Sequence, residues 1–247
     1  MSVQSIDRAV DIMSLFSAEA TRLGITEIAA ALGLSKTTVH GLASTLKARG
    51  LLRQDAETRK YSLGMKLFEL GAMLTASLKL NRVGQGAVQR LANDTGLNAR
   101  LAVWERPAML VALTAFPGMP SPPLNQMGPR VPAHCSAIGK AVLMSLPAAD
   151  LARWLDAAKL ERFTPNTLID RQALERQLGE FRRQGFAEDN EEFLLGLCCR
   201  AAPIKERGVV AGSVSLSAAP EQLAGRDGRE LARLLLAAAT EISRAMA

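Results

Sequence analysis

The 247-residue sequence predicts an α+β protein in two parts: a small helical part carrying a short hairpin, then a larger antiparallel sheet flanked by helices. Three observations carry that expectation. Residues 24–52 read as two short helices about a tight turn, with an apolar-striped helix ahead of them and two short strands behind. From residue 78 onward, strand-like hairpins alternate with amphipathic helices. Strands joined directly as hairpins pair antiparallel, which separates this arrangement from a parallel α/β sheet.

The first helix spans Ser5 to Ser17, with Ile6, Val10, Met13 and Phe16 on one stripe that would pack across the back of the next two helices. In GITEIAAALGLSKTTVHGLASTLKARGLL, Ile28, Ala29 and Leu32 share a face of the second helix. Gly33 supplies the turn, because a residue without Cβ adopts φ > 0 at little cost. Ser35 is a good N-cap, and Val39, Leu42 and Leu46 mark the buried side of the third helix. Lys36, Thr37, His40 and Ser44 are left on its other side, with polar groups short enough to enter a DNA major groove. This is the pattern of a helix-turn-helix. Taken alone it also fits a two-helix hairpin in an ordinary core.

The residues after Gly50 favour the DNA-binding reading. Leu51–Arg53 and Arg59–Leu63 can pair as two strands across a polar turn at Asp55–Thr58, which makes a wing. Lys36, Lys47, Arg49, Arg53, Arg59 and Lys60 are opposed only by Asp55 and Glu57 between residues 36 and 60. The cluster is a phosphate-facing patch if the wing docks on DNA and a solvated rim if it does not. Gly64 to Ser77 continues as a linker helix whose Leu67, Leu70 and Leu74 stripe would lie against a partner subunit or the first part. The expected division is 1–63 for the winged domain, 64–77 for the linker and 78–247 for the second domain.

In the second domain a helix runs from about Leu80 to Asn93 and stops near Gly96. Ala99–Trp104 and Met109–Ala115 form a hairpin about Glu105-Arg106-Pro107. Phe116 to Pro132 is a Pro- and Gly-rich loop of the kind that covers a ligand. Ser136 or Cys135 then caps a helix reaching about Leu146, and Pro147–Ala157 and Asp170–Gln184 are further helices, the latter striped by Leu174, Leu178 and Phe181. Glu188 to Leu197 reads as an acidic loop. Arg200–Ile204 and Val209–Ser217 make a second hairpin, and a terminal helix begins at Asp227 with Glu230 in capping-box spacing.

Two places in this domain could hold a ligand. At the helix after Pro132, the backbone N–H groups of Ala137 and Ile138 would sit at a positive helix end suited to a carboxylate, although a capped core helix explains the same residues. In GSVSLS, Ser213, Ser215 and Ser217 share one strand face, which is a solvent face unless another element covers it. Asp189 could accept a hydrogen bond from a ligand hydroxyl or be a solvated loop charge. Enzyme chemistry has little support. The only histidines are His40 and His134, and no C-x-x-C, H-E-x-x-H or phosphate-cradling glycine loop is present. A metal site of Cys135, His134 and Cys199 is conceivable, but buried inert cysteines fit better.

Composition sets the outer limits. At 48% hydrophobic and 22% charged, the chain is globular, and its net charge of +6 suits a polyanionic partner. Aromatic residues at 4% argue against binding single strands by stacking. No apolar run reaches the ~18 residues of a membrane span, and the N-terminus has no signal-peptide core. Three cysteines, two of them adjacent, make no disulfide framework and point to a reducing cytosol.

Taken whole, the chain resembles the IclR family of bacterial transcription regulators. The resemblance rests on SIDRAVDIMSLF, the helix-turn-helix, RKYSLGMKLFELG, GPRVPAHCSAIGKAVL and QGFAEDNEEFLLGLCCRAAPI. It implies a GAF-like second domain that binds a small effector, commonly an organic or aromatic acid, through Ala137, Ile138, Asp189, Leu197, Cys199, Ser215 and Ser217. Three positions depart from the family pattern. Gly41 stands where Arg often follows the His, Cys198 replaces a commonly basic or polar residue, and Ile138 is bulkier than the small residue often found there. The last two imply a smaller or differently shaped ligand space.

The combined expectation is an effector-controlled, cytoplasmic transcription factor without catalysis, cofactor or metal. It would bind a palindromic or near-palindromic operator in double-stranded DNA as a homodimer or homotetramer. Ser35, Lys36, Thr37, Thr38, His40 and Ser44 face the DNA, while Arg49, Arg53, Arg59 and Lys60 hold phosphates. The alternative is a small-molecule sensor or enzyme that uses the winged part to dock another protein.

Overall fold

One left-handed glycine sets the corner of the N-terminal helices. The computed structural model describes residues 2–118 and 130–247, and its chain divides into two compact units, Met1–Ser77 and Leu78–Ala247. The first unit begins with α1 (Gln4–Ser14), α2 (Ile25–Leu32) and α3 (Lys36–Ala48). Gly33, between the last two, has a φ of 64°. Ser35 then caps α3 by accepting from the Thr38 N–H at 3.1 Å.

Ile12, Ile28, Val39, Ala43, Leu46, Leu52 and Tyr61 make the core of this unit. Each large aliphatic side chain there contributes about 1.5–3 kcal/mol by leaving water. The face α1 buries differs from the expected stripe: Ile12 is buried, with Ala9, Met13 and Phe16 beside it, whereas Ile6 and Val10 are exposed. The apolar residues of α1 form one wide sector, and packing buries its Ile12 side while the Ile6 and Val10 side stays in solvent.

Strands β1 (Leu52–Gln54) and β2 (Tyr61–Leu63) pair antiparallel with Arg53 opposite Ser62. Asp55 closes the tip by accepting from the Thr58 N–H at 2.8 Å. Arg59 has a φ of 59° and belongs to the turn rather than to the return strand. Helix α4 (Met65–Ser77) buries none of its residues. Its Met65, Phe68, Leu70, Met73 and Leu74 are all exposed, including two of the three expected stripe leucines. Its start is tied to the end of the α3 segment, where Gly64 N–H donates to Leu51 O at 2.8 Å and Lys66 N–H to Gly50 O at 3.2 Å. A Cβ on Gly64 would lie 2.1 Å from the Gly50 carbonyl oxygen, so this approach requires glycine.

The second unit comprises α5 (Lys79–Thr95), β3 (Asn98–Glu105), β4 (Ala108–Ala115), β5 (Arg130–Val131), α6 (Ala137–Leu143), α7 (Ala148–Ala157) and α8 (Arg171–Gln184). It continues with β6 (Ala187–Asn190), β7 (Cys198–Glu206), β8 (Val209–Ala218), α9 (Pro220–Ala224) and α10 (Gly228–Met246). The strands form a six-stranded sheet in the order β5-β4-β3-β8-β7-β6, and every pairing is antiparallel. Helices α5 and α10 cover one face, packing Leu91, Leu235 and Ile242 on Val214 and Leu216. Helices α6 and α8 cover the other, where Val142, Leu174 and Leu178 share a core with Val111 and Ala201.

The acidic stretch expected as a loop begins with an edge strand. In β6 the burial alternates, with Ala187 and Asp189 turned in and Asn190 exposed. Three polar residues in a row masked this alternation. Of the Pro- and Gly-rich loop, residues 119–129 lie outside the described residues.

Candidate functional site

In the first unit Ser35, Lys36, Thr37, His40 and Ser44 are exposed, and Thr38 is half-buried with its hydroxyl 2.8 Å from that of Ser35. The polar set lies opposite Val39, Ala43 and Leu46, which point into the core. Arg49, Arg53 and Arg59 are exposed as well. Arg53 Nε donates to Ser62 Oγ at 2.9 Å, which braces it across the wing. Lys60 is not free: its Nζ pairs with Glu27 at 3.0 Å. An exposed pair of this kind is worth about 0–1 kcal/mol, so a phosphate can compete for the lysine. Sequence reasoning missed Arg22, which lines a groove with Arg53, Lys60 and Ser62 and lies 3.8 Å from Asp55. Standing ahead of α2, it carries no motif signal.

In the second unit the floor of the candidate ligand site is the sheet face beneath α6. Strand register places side chains there in rows. Thr114, Arg100, Ser215 and Ala201 lie across β4, β3, β8 and β7. Asn98, Ser217, Cys199 and Asp189 form the next row across β3, β8, β7 and β6. Ser213, Ser215 and Ser217 are all buried, because α6 covers the face that serine alternation alone would assign to solvent. Ser213 holds the helix in place by donating to the Ile138 carbonyl at 3.0 Å. Ser136 caps α6, accepting from Gly139 N–H at 3.3 Å and donating to Pro132 O at 2.6 Å.

Between α6 and the sheet lies a cavity of about 20 Å³, room for roughly one water. Ala137, Ile138, Asp189, Leu197, Cys199 and Ser215 line it. Ser217, expected with them, does not; its hydroxyl points back to its own sheet, 3.5 Å from Asn98 O. Sequence reasoning missed Arg100, Val111, Val131, Ser136 and Phe193 in the same lining. Arg100 sits in the strand NARLAVWE, where alternation puts a charged residue on a solvent face; here both faces are covered.

The polar groups around the cavity are strongly perturbed by burial. Asp189 is 2% exposed and its Oδ1 accepts from Glu192 N–H at 2.8 Å. Burial pushes its carboxyl up to about 7, against the stabilising pull of that hydrogen bond and of Lys140. Near neutral pH it is therefore a part-protonated acid that can donate as well as accept. Lys140 is fully buried and paired with Glu192, and its ammonium also donates to Glu188 O at 3.2 Å. Burial pulls its pKa down while Glu192 opposes the shift. Burial likewise pushes Cys135 up to about 12 and moves Cys199 upward, so both remain thiols. Among the described residues no group of three or more His, Cys, Asp and Glu could hold a metal ion, and no helix is long and apolar enough to cross a membrane.

Two sequence families match the chain. The IclR helix-turn-helix domain matches residues 5–56, and the bacterial transcriptional regulator IclR C-terminal domain matches residues 72–244. The transcriptional regulator XynR of Escherichia coli is 34% identical over 99% of this chain and 97% of its own. BhcR of Paracoccus denitrificans is also 34% identical, over 99% and 88%. Among solved structures, an IclR regulator from Alicyclobacillus acidocaldarius superposes with a TM-score of 0.84 at 25% identity, covering 100% of both chains. An IclR homologue from Microbacterium hydrocarbonoxydans, crystallised with 4-hydroxybenzoate, has the same fold, with a TM-score of 0.80 at 23% identity over 98% of each chain. A helix-turn-helix unit presenting an exposed polar helix, joined to a sheet unit of this topology and matched along nearly its whole length, makes this chain a member of the IclR family of DNA-binding transcriptional regulators.

Proposed function

We propose that this regulator's affinity for its operator is set by a small organic acid held in the cavity beneath α6. The observation that carries the reading is convergence: Ala137, Ile138, Asp189, Leu197, Cys199 and Ser215, from four separate segments, meet at one buried cavity. A neighbour of the same fold was crystallised with 4-hydroxybenzoate, which supports an acid of that general class. An acid of several carbons needs more room than one water, so it must select a wider state of the cavity than the present one. A ligand that prefers one of two states shifts their populations, and operator affinity follows if the two states bind DNA differently.

At the DNA, Lys36, Thr37, Thr38, His40 and Ser44 approach base edges from α3, with Ser35 at its start. Arg49, Arg53, Arg59 and Lys60 neutralise phosphates. The exposed apolar residues of α4 support assembly into a homodimer or homotetramer on a palindromic operator.

Fluorescence anisotropy with the DNA upstream of the protein's own gene tests the output end. Binding is expected to be sequence-preferring and to weaken steeply with salt. Replacing Lys36→Ala together with Thr37→Ala should lower specific affinity at least tenfold; an unchanged affinity would remove α3 from the interface. For the input end, calorimetry should show Asp189→Ala and Ser215→Ala binding the effector more weakly than the parent.

A further inference from the structure

Among the described residues, Arg100 is the one charged side chain in the cavity lining apart from Asp189. It lies in β3, near the middle of the sheet, opposite Ser215 on one side and Thr114 on the other. Its Nε is buried and has no hydrogen-bond partner among the described residues, and the same is true of the Thr114 hydroxyl beside it. A guanidinium stays charged at any accessible pH and offers five N–H donors in a planar fork that matches a carboxylate. The side chain as a whole is half-buried, and a buried donor such as its Nε left without a partner is costly. The nearby ion pair does not relieve it: Glu192 already holds Lys140 through Oε1, and its Oε2 is buried without a hydrogen-bond partner among the described residues. The floor of the cavity therefore carries a positive charge without a counter-ion among the described residues.

We propose that Arg100 selects the charge of the effector: the site takes a small monocarboxylate whose carboxylate is paired with the Arg100 guanidinium on the sheet floor, with a hydroxyl or oxo substituent turned to Asp189. This rests on the effector-site reading above and specifies which chemistry that site accepts. One cation calls for one anionic group. Ser215, whose side chain shares the row with Arg100 and lines the cavity, supplies a hydroxyl within the same pocket.

The test uses the full-length protein and a thermal-shift screen of small monocarboxylates, each beside its neutral amide, including glycolate with glycolamide and 4-hydroxybenzoate with 4-hydroxybenzamide. At least one carboxylate should raise Tm while its amide does not. Calorimetry on that acid should then show Arg100→Met binding about a hundredfold or more weakly. Arg100→Lys, which keeps the charge without the planar fork, should fall between the two. Arg100→Met should also be at least as heat-stable as the parent without ligand, because it removes a buried N–H donor that has no partner among the described residues. Stabilisation by amides alone, or full retention of carboxylate affinity in Arg100→Met, overturns the role of Arg100 and leaves the effector site standing. If neither acids nor amides bind, the effector-site reading itself fails and takes the inference with it. Should Arg100→Met fold poorly, equal binding by Arg100→Lys and the parent would overturn the fork geometry, and tighter binding by the parent would support it.

Discussion

Asp189 couples the fold to pH through a single proton. Its carboxyl has an ordinary value of 3.8 and is pushed to about 7 in the folded protein, chiefly by burial. Between those values the folded state holds a proton that the unfolded chain has released. The stability contributed is therefore fully present below the unfolded pKa and is lost as pH rises through the folded one, at up to about 1.4 kcal/mol per pH unit. Asp189→Asn has no such proton to lose and keeps an oxygen for the Glu192 N–H. Its Tm advantage over the parent is expected to widen from about pH 5 to pH 7 and then level off. A constant difference across that range, measured by thermal melts, would mean that Asp189 does not titrate there.

Among the elements, α3 carries a weakness that can be repaired. Gly41 lies exposed in the middle of that helix, and a Cβ built on it meets nothing within 4 Å. Glycine costs about 1 kcal/mol in such a position relative to alanine. Gly41→Ala is therefore expected to raise the melting temperature of the first unit by about 4–8 °C; no rise would show that another constraint holds the backbone there. Elements with local start and stop signals were legible in the sequence. Asp170 and Gly185 bracket α8, and Asp227 opens α10, whose Leu231, Leu235, Ala238 and Ile242 are buried as the spacing requires. Elements defined by their neighbours were not. The strand β6 is polar in three of four residues and exists because β7 pairs with it. The inward face of α1 was ambiguous until α3 packed against it. At the candidate site, the start of α6 and the serine strand could be found from local pattern. Arg100 could not, because only the sheet order shows that β3 is covered on both faces.

For the whole molecule, the exposed apolar surface of α4 is the feature that a solitary chain does not explain. Phe68 and Met73 are 68% and 69% exposed, and apolar surface gathered on one helix marks an interaction site. Replacing Phe68→Glu together with Met73→Glu is expected to shift the protein toward monomer in sedimentation. Operator affinity should fall with it, since two half-sites no longer act through one linked body. An unchanged sedimentation profile would place the interface elsewhere. The glycine contact at the head of α4 gives that helix a further meaning. Gly64 and Lys66 are bonded to Leu51 and Gly50, directly beyond the end of α3, with no room at Gly64 for a side chain. Helices α3 and α4 are thus held end to end by backbone hydrogen bonds. On the proposed reading, in which α3 meets DNA and two chains pair through α4, the distance between the two α3 helices is set by how the two α4 helices meet. The operator's spacer length then measures that meeting, and inserting one or two base pairs between half-sites reports on it as a ruler would.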